Sequence, residues 1–349
     1  MFFASDNAGP AHPSVLDALA TANEGYRKAY GAEAEMDAVR AQIREIFEAP
    51  EAAVYLVATG TAANSLILST LGDPWATTFC TPMAHIHEDE CNAPEFFSGG
   101  MKLTLVPDME AKMTPDALRA SIEAEETRGV HGPQRGPVSI TQATEKGTVY
   151  SVDEISALSA VARDHGLPVH MDGARFANAL VTLGCSAAEM TWKAGVDAVS
   201  FGGTKNGLMG VEAAVFFDPA KAWEFELRRK RGAHLFSKHR FLSAQMKAYL
   251  ADGLWLDLAQ RANGAARRMA DGLRRSNSAR LLYEPAANLM FAEFPRAAHQ
   301  RLHDAGAVYY VWSGNLEAGD PEEMLLARLV CDWSTDPATV DRFLNILAD

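Results

Sequence analysis

The sequence predicts an α/β fold: a mostly parallel central sheet with helices on both faces, plus a smaller C-terminal α+β domain. Three observations predict it. Between residues 53 and 218, short β-rich runs alternate with helical ones, the pattern of a parallel sheet wrapped by crossover helices. After about residue 235 that alternation gives way to long helix and then to mixed elements. The length of 349 residues allows roughly two domains and a sizeable core. The expected division is a large domain over 1–250 and a small one over 251–349.

Taken in order, AVYLVATG reads as a strand and TAANSLILSTLG as the helix after it, while TTFC and KLTLVPD read as strands. TPDALRASIEAEE opens with Thr114 as N-cap and Pro115 at the first helical position, where a missing N–H costs nothing. VSITQA is a strand, and SVDEISALSAVARDHG is a helix whose Ser151 and Glu154 stand at capping-box spacing. LPVHMDGA, VDAVSFGG and EAAVFFD are further strands, with a helical stretch between the first two. FLSAQMKAYLADGLWLDLAQRANGAARRMADGLRR reads as long helix, with interruptions expected at Gly253 and Gly264. ARLLYEP, NLMFAEFP, AVYYVWSG and LLARLVCDWS are the strands of the small domain. Between them lies the helix RAAHQRLHDAG, and Asp336 and Pro337 start a last helix.

Composition narrows the function. Hydrophobic content of 48% with 22% charged residues is that of a soluble globular chain, and no run approaches the ~18 apolar residues that a membrane span requires. A net charge of −13 speaks against a nucleic-acid partner, which needs a basic surface. The local exception is RRKRG, Arg228 to Gly232, followed by Lys238, His239 and Arg240; as a bare charge run it reads as a solvated helix face. The start, MFFASDNAGPAHPS, has neither a basic n-region nor a long apolar h-region, so a cytoplasmic location is expected. Cys80, Cys91, Cys185 and Cys331 are scattered, which indicates reduced thiols rather than a disulfide framework or zinc site. HIHEDEC crowds His85, His87, Glu88, Asp89, Glu90 and Cys91 together, but ligands of such mixed hardness with no partner motif give no metal expectation.

Three stretches carry chemistry. In SFGGTKNG, glycines on both sides free Lys205 from bulky neighbours. In VHMDGAR, period-two geometry places His170 and Asp172 on one strand face, with Asp172 near the strand's carboxyl end. Open α/β sheets bind ligands at that edge, and Lys205 follows the next strand, so the two opposite charges can face one crevice. In VATGTAAN, a small-residue turn with Gly60 and Thr61 opens a helix, whose free N–H groups and dipole suit a phosphate. GxGxxG and GxxxxGK[ST] are absent, so dinucleotide and P-loop readings are weak. An amine, a strand-end carboxylate and a phosphate cradle together meet the demands of pyridoxal phosphate: a lysine to bond the aldehyde, an acid to keep the ring nitrogen protonated, and a helix end for the phosphate.

HMDGARFANAL, SFGGTKNG, YGAEAEMD and the N-terminal SDN resemble the low-specificity L-threonine aldolases, fold-type-I pyridoxal-phosphate enzymes grouped with the β-eliminating lyases. The resemblance runs from Ser5 to the region of Arg328. It implies retro-aldol cleavage of L-threonine or L-allo-threonine to glycine and acetaldehyde, with Lys205 as Schiff-base lysine and Asp172 as partner of the pyridinium nitrogen. It implies further that Gly60 and Thr61 hold the phosphate and that His85 stacks on the cofactor ring near the substrate hydroxyl. Ser5, Arg175 and Arg328 would bind the substrate carboxylate, a task for which the arginine fork is suited. Tyr30 falls at the active-site edge, and Arg231 and Lys238 reach the phosphate of a neighbouring subunit. The implied assembly is a homo-oligomer, at least a dimer with shared sites, with a tetramer expected.

Two stretches depart from the pattern. Many members have SDT where this chain has Ser5-Asp6-Asn7, and many carry a second active-site histidine in E-N-T-H-N-G where it reads T-Q-A-T-E-K-G, Thr141 to Gly147. The group facing the substrate hydroxyl is therefore open between a bound water, His85 and a further residue. His170 and His131 read as structural. The neighbouring activities are those of phenylserine aldolases, other β-eliminating lyases and aminotransferases, since one fold hosts several reactions.

Overall fold

The computed structural model describes residues 1–348. A seven-stranded sheet forms its centre, in the spatial order Ala53–Val57, Glu212–Phe216, Ala198–Gly202, Val169–Gly173, Gln134–Thr141, Ala76–Cys80, Lys102–Leu105. Glu212–Phe216 runs antiparallel to both neighbours, and every other pairing is parallel. The five-residue strands 53–57, 169–173 and 198–202 are buried throughout, as strands covered by helices on both faces must be. Their carboxyl ends lie together because the register pairs Asp172 with Ser200 and Gly173 with Phe201, while Val57 and Gly202 both pair with Glu212.

That meeting is tight enough to dictate glycine. A Cβ on Gly173 would stand 2.6 Å from the Ser200 carbonyl oxygen, and one on Gly202 would stand 2.5 Å from that of Ala174. The two strand ends approach at van der Waals limits, which fixes the distance between the loops that carry Arg175 and Lys205. Gly207 closes the short turn Thr204–Asn206 in the left-handed region, at φ 98°, where a side chain would be strained.

The local helix signals act as read from the sequence. Thr114 accepts the Ala117 N–H ahead of Pro115–Ala124, and Ser151 and Glu154 form both halves of the capping box of Val152–Asp164. The long C-terminal helical region breaks only once. Asp252 at φ 52° and Gly253 at φ 71° separate Arg240–Leu250 from Leu254–Arg275, but the second helix runs straight through Gly264. One exposed glycine costs about 1 kcal/mol relative to alanine, whereas Ala262, Asn263, Ala265 and Ala266 on either side are buried. Packing outweighs propensity there. In ARLLYEP only Arg280–Leu281 is strand.

Two hydrophobic cores dominate among the five clusters of buried side chains. The larger surrounds Phe47, Phe176 and Phe201, whose rings meet at centroid distances of 5.4 to 5.7 Å. The smaller lies under the four-stranded antiparallel sheet of the C-terminal region and contains Met269, Leu273, Phe294 and Phe343. Helix 254–275 joins them, with Trp255 and Leu258 in the first core and Ala265 to Leu273 in the second. The N-terminus belongs to the small sheet's core: Phe3 is buried there, its N–H bonds the Val308 carbonyl and its carbonyl accepts the Val330 N–H. Pinned in this way, the chain emerges at Ser5 and Asp6 directly over the Lys205 turn.

Candidate active site

A cavity of about 350 Å3 opens at the carboxyl end of the parallel strands, and Lys205, Asp172, His85, Arg175, Gly60 and Thr61 all line it. Four separate segments therefore deliver six of the residues that sequence reasoning selected for the cofactor. Burial lowers the pKa of Lys205, and the nearby Arg175 charge adds to this against the opposing pull of Asp6, Asp172 and Glu212. A lysine amine pushed toward its neutral form is a better nucleophile.

Asp172 is 4% exposed and both of its oxygens are engaged. Oδ2 accepts from Asn64 Nδ2 at 2.9 Å and Oδ1 from the Ala174 N–H at 3.0 Å. Asn64 also donates to Glu90 Oε1 at 2.9 Å and accepts from the Ser200 hydroxyl. Glu90 Oε1 in turn meets His85 Nδ1 at 2.9 Å. That bond, helped by the Asp172 charge and resisted by burial, raises the pKa of His85. His170 sits behind this network, buried between the hydroxyls of Ser139 and Ser200, and desolvation presses it down to about 4. It is a neutral core histidine that braces Ser200.

At the other wall, helix Gly60–Leu71 begins with Thr59 as N-cap, its hydroxyl accepting the Ala62 N–H at 3.1 Å. The N–H groups of Gly60 and Thr61 have no partner within the helix, and a Cβ on Gly60 would meet nothing within 4 Å. Open donors, open space and the positive end of the dipole make this an anion cradle. Together with Lys205 and Asp172, it fits pyridoxal phosphate at both of its charged ends.

Arg175 departs from its expected availability. Its Nε and Nη2 grip Asp6 at 2.8 and 2.9 Å, both side chains are buried, and Asn288 adds a 2.9 Å bond to Asp6 Oδ2. The fork is occupied by a residue of the chain itself. Arg328 is freer: it donates to the Ala4 carbonyl at 3.2 Å and lies 5.9 Å from the centroid of Trp312. Burial and the Arg175 charge press it down to about 10, so it remains a cation at neutral pH. Ser5, Tyr30, Arg231, Lys238 and Arg328 itself do not line the cavity of this chain. The Ser5 hydroxyl caps the Asn7 N–H, Tyr30 is 49% exposed, and Arg231 and Lys238 lie at the surface.

Several cavity residues went unselected in the sequence: Asn64, Glu90, Glu145, Glu212 and Asn7. Asn64 follows Gly60 by one helical turn and so shares its face, a legible signal. Glu212 accepts the Gly203 N–H at 2.8 Å, bracing the Lys205 turn, and burial pushes its carboxyl up to about 7. Glu145 lies in the departing Thr141–Gly147 run. Within HIHEDEC, His85 pairs with Glu90 and His87 with Glu88, and among the described residues no three His, Cys, Asp or Glu side chains converge as a metal-binding group.

Residues 3–295 match the sequence profile of the beta-eliminating lyases. The chain belongs to the beta-eliminating lyase family. This lyase is 41% identical over 334 residues to the low specificity L-threonine aldolase of Pseudomonas aeruginosa, covering 96% of this chain and 93% of the relative. It superposes on the threonine aldolase of Leishmania major with a TM-score of 0.92 at 26% identity, covering 99% and 98% of the two chains. The serine palmitoyltransferase of Sphingomonas wittichii shares the fold at a TM-score of 0.71 and 16% identity, covering 100% and 86%. The architecture is fold type I.

The Asp6 latch generates a pH prediction for this lyase. Burial alone would raise the Asp6 carboxyl, but the charges of Arg175 and Lys205 and the hydrogen bonds of Arg175 and Asn288 outweigh it and leave it lowered. A carboxyl depressed on folding stabilises the protein above its unfolded pKa of about 4, and that contribution is lost as pH falls through the folded value. Thermal unfolding followed against pH should therefore show a steeper acid loss of Tm in the wild type than in Asp6→Asn. Parallel curves would remove Asp6 from the account.

Proposed function

We propose that this chain is a pyridoxal-phosphate-dependent aldehyde-lyase that cleaves β-hydroxy-α-amino acids, L-threonine and L-allo-threonine among them, to glycine and an aldehyde such as acetaldehyde. The observation that carries the reading is one cavity holding a desolvated lysine, a doubly anchored strand-end aspartate and an open helix N-terminus. The similarity to the aldolases of Pseudomonas aeruginosa and Leishmania major supports the choice among fold-type-I activities.

Pyridoxal phosphate, when bound, supplies an aldehyde carbon for an amine and a ring that takes up the electron pair left at Cα. The chain does the rest. Lys205 offers the amine, made nucleophilic by burial. Asp172, kept in place by Asn64 and Ala174, would partner the ring nitrogen and favour its protonated form. Gly60 and Thr61 would hold the phosphate through their N–H groups, and His85, oriented by Glu90, would bound the ring. Arg328 binds the substrate carboxylate, with Arg175 and Ser5 beside it, so that the Cα–Cβ bond is held in the orientation that reacts.

The assembly is a homo-oligomer, at least a dimer and by the same reading a tetramer. Arg231 and Lys238 serve the phosphate of a neighbouring subunit, and Tyr30 stands at the shared edge. Their exposure outside this chain's own cavity supports that role, as do the exposed Trp223 and Phe236 nearby in sequence. Cys80, Cys91, Cys185 and Cys331 are free thiols, which suits a reducing compartment, and the cytoplasm is the proposed location. The division into domains 1–250 and 251–349 is part of the same proposal.

NMR of the products formed by the purified, cofactor-loaded protein tests the reading. L-threonine or L-allo-threonine should give glycine plus acetaldehyde, and L-phenylserine offered in parallel reports how far the aldehyde side is read. Release of 2-oxobutyrate and ammonia instead would replace the aldolase with an eliminating enzyme on the same cofactor. For the carboxylate, Arg328→Ala should raise KM about 10–100-fold, the loss of one charged hydrogen-bonded contact, while cofactor affinity stays constant. An unchanged KM contradicts the assignment.

A further inference from the structure

Glu145 stands on the cavity wall in the Thr141–Gly147 run. Its Oε1 accepts the backbone N–H of His85 at 2.8 Å. Its Oε2 is buried and has no hydrogen-bond partner. An unpaired buried carboxylate oxygen is costly to leave unmade, and in a cavity it is an acceptor waiting for a donor from the ligand.

The other acceptors on the wall are committed elsewhere, except that Glu90 also keeps a buried, unpartnered Oε2, which makes Glu90 the rival that the Glu90→Gln variant below separates. His85 bonds Glu90 through Nδ1, and its raised pKa favours the imidazolium, which donates protons rather than accepting them. Glu90 shares its Oε1 between Asn64 and His85 and sets the orientation of both. Glu212 is turned to the Gly203 N–H, and Asp172 has both oxygens filled.

We propose that Glu145 is a catalytic residue of the aldol cleavage, its Oε2 accepting the proton of the substrate's β-hydroxyl. This rests on the aldolase reading above. As the Cα–Cβ bond breaks, the hydroxyl proton passes to Oε2, the O–H electron pair becomes the second bond of the aldehyde carbonyl, and the Cα–Cβ pair stays with the glycine fragment. Glu145 then gives its proton to solvent after the aldehyde leaves. The glycine fragment takes a proton at Cα from another group, so one proton is released and one taken up per turnover.

The electrostatic surroundings suit the role. Burial, followed by the charge of Asp172, pushes the Glu145 carboxyl up to about 7 against the opposing pull of the backbone N–H of His85. The other titratable groups that feel it are Cys80 and Tyr150, both held neutral by burial, and His85 and Glu90 complete the wall. A base works best with a pKa near the working pH. Because the carboxylate form is the active one, kcat/KM rises with pH through about 7.

Glu145→Gln tests this, since the amide oxygen still accepts the His85 N–H while the base is gone. Cleavage of L-threonine should fall by about 10²–10⁴-fold, the usual worth of a general base, and the limb of kcat/KM near pH 7 should vanish. Exchange of the glycine α-proton in D2O, which involves no hydroxyl, should persist within about threefold, and cofactor affinity within about twofold. Infrared spectra of the protein, with and without cofactor, should show two carboxyls that titrate near neutrality, Glu145 and Glu212, and the Glu145 contribution should be missing in the variant while that of Glu212 remains. Cleavage by Glu145→Gln at near wild-type rate overturns the proposal, as does a joint loss of exchange and cleavage, or a pH limb that disappears in Glu90→Gln instead. The wild-type profile needs no variant: absence of a limb near pH 7 also overturns it. A wild-type chain that exchanges the glycine proton but cleaves no β-hydroxy amino acid removes the aldolase reading itself, and the role of Glu145 with it.

Discussion

Everything in the cavity is arranged around one fixed negative charge, the carboxylate of Asp172 at the end of a fully buried strand. Such a charge is costly in a sheet interior unless it is hydrogen-bonded. Here the Asn64 amide and the Ala174 N–H supply the bonds. Asn64 extends the arrangement outward to Glu90 and His85 on one side and to Ser200 and His170 on the other. The ring that a pyridine cofactor would occupy is thereby bounded before any ligand arrives, a form of preorganisation that electrostatic catalysis requires.

Lysine chemistry depends on the same economy of burial. The Lys205 turn is held by Glu212 beneath it and by the close approach of Gly202 to Ala174. Desolvation favours its neutral amine, and the surrounding acids moderate the effect without cancelling it. The N-terminal segment contributes through a different route. Phe3 anchors it in the small core, and the Asp6–Arg175–Asn288 cluster then ties large sheet, N-terminus and small sheet into one buried contact. Movement of the small sheet would thus be felt at an arginine on the cavity wall.

Much of this was legible in the sequence because it is local. Strand and helix alternation, the Thr114 and Ser151 caps, the strand-end position of Asp172 and the glycine-flanked Lys205 all follow from neighbours in the chain. Gly264 misled because a helix-breaking tendency of one residue is overridden by the packing of its buried flanks, which no local pattern reports. Asp6, Glu90 and Glu145 were passed over for the opposite reason. Each is an ordinary acid in sequence and becomes informative only through a partner supplied by another segment: Arg175 for Asp6, Asn64 and His85 for Glu90, and the His85 backbone for Glu145. Arg175 shows the same limit from the other side, since its residue type announces a carboxylate grip but not that Asp6 already fills it.

The central claim is that the Asp172 carboxyl group would partner the ring nitrogen of the cofactor and keep that nitrogen protonated. The direct measurement is 15N NMR of the full-length protein loaded with cofactor labelled at that nitrogen, recorded across the neutral and alkaline range for the wild type and for Asp172→Asn. The account predicts a protonated nitrogen throughout in the wild type and loss of that proton in the variant. A deprotonated nitrogen in the wild type at neutral pH, or a signal that the substitution leaves unchanged, would contradict it.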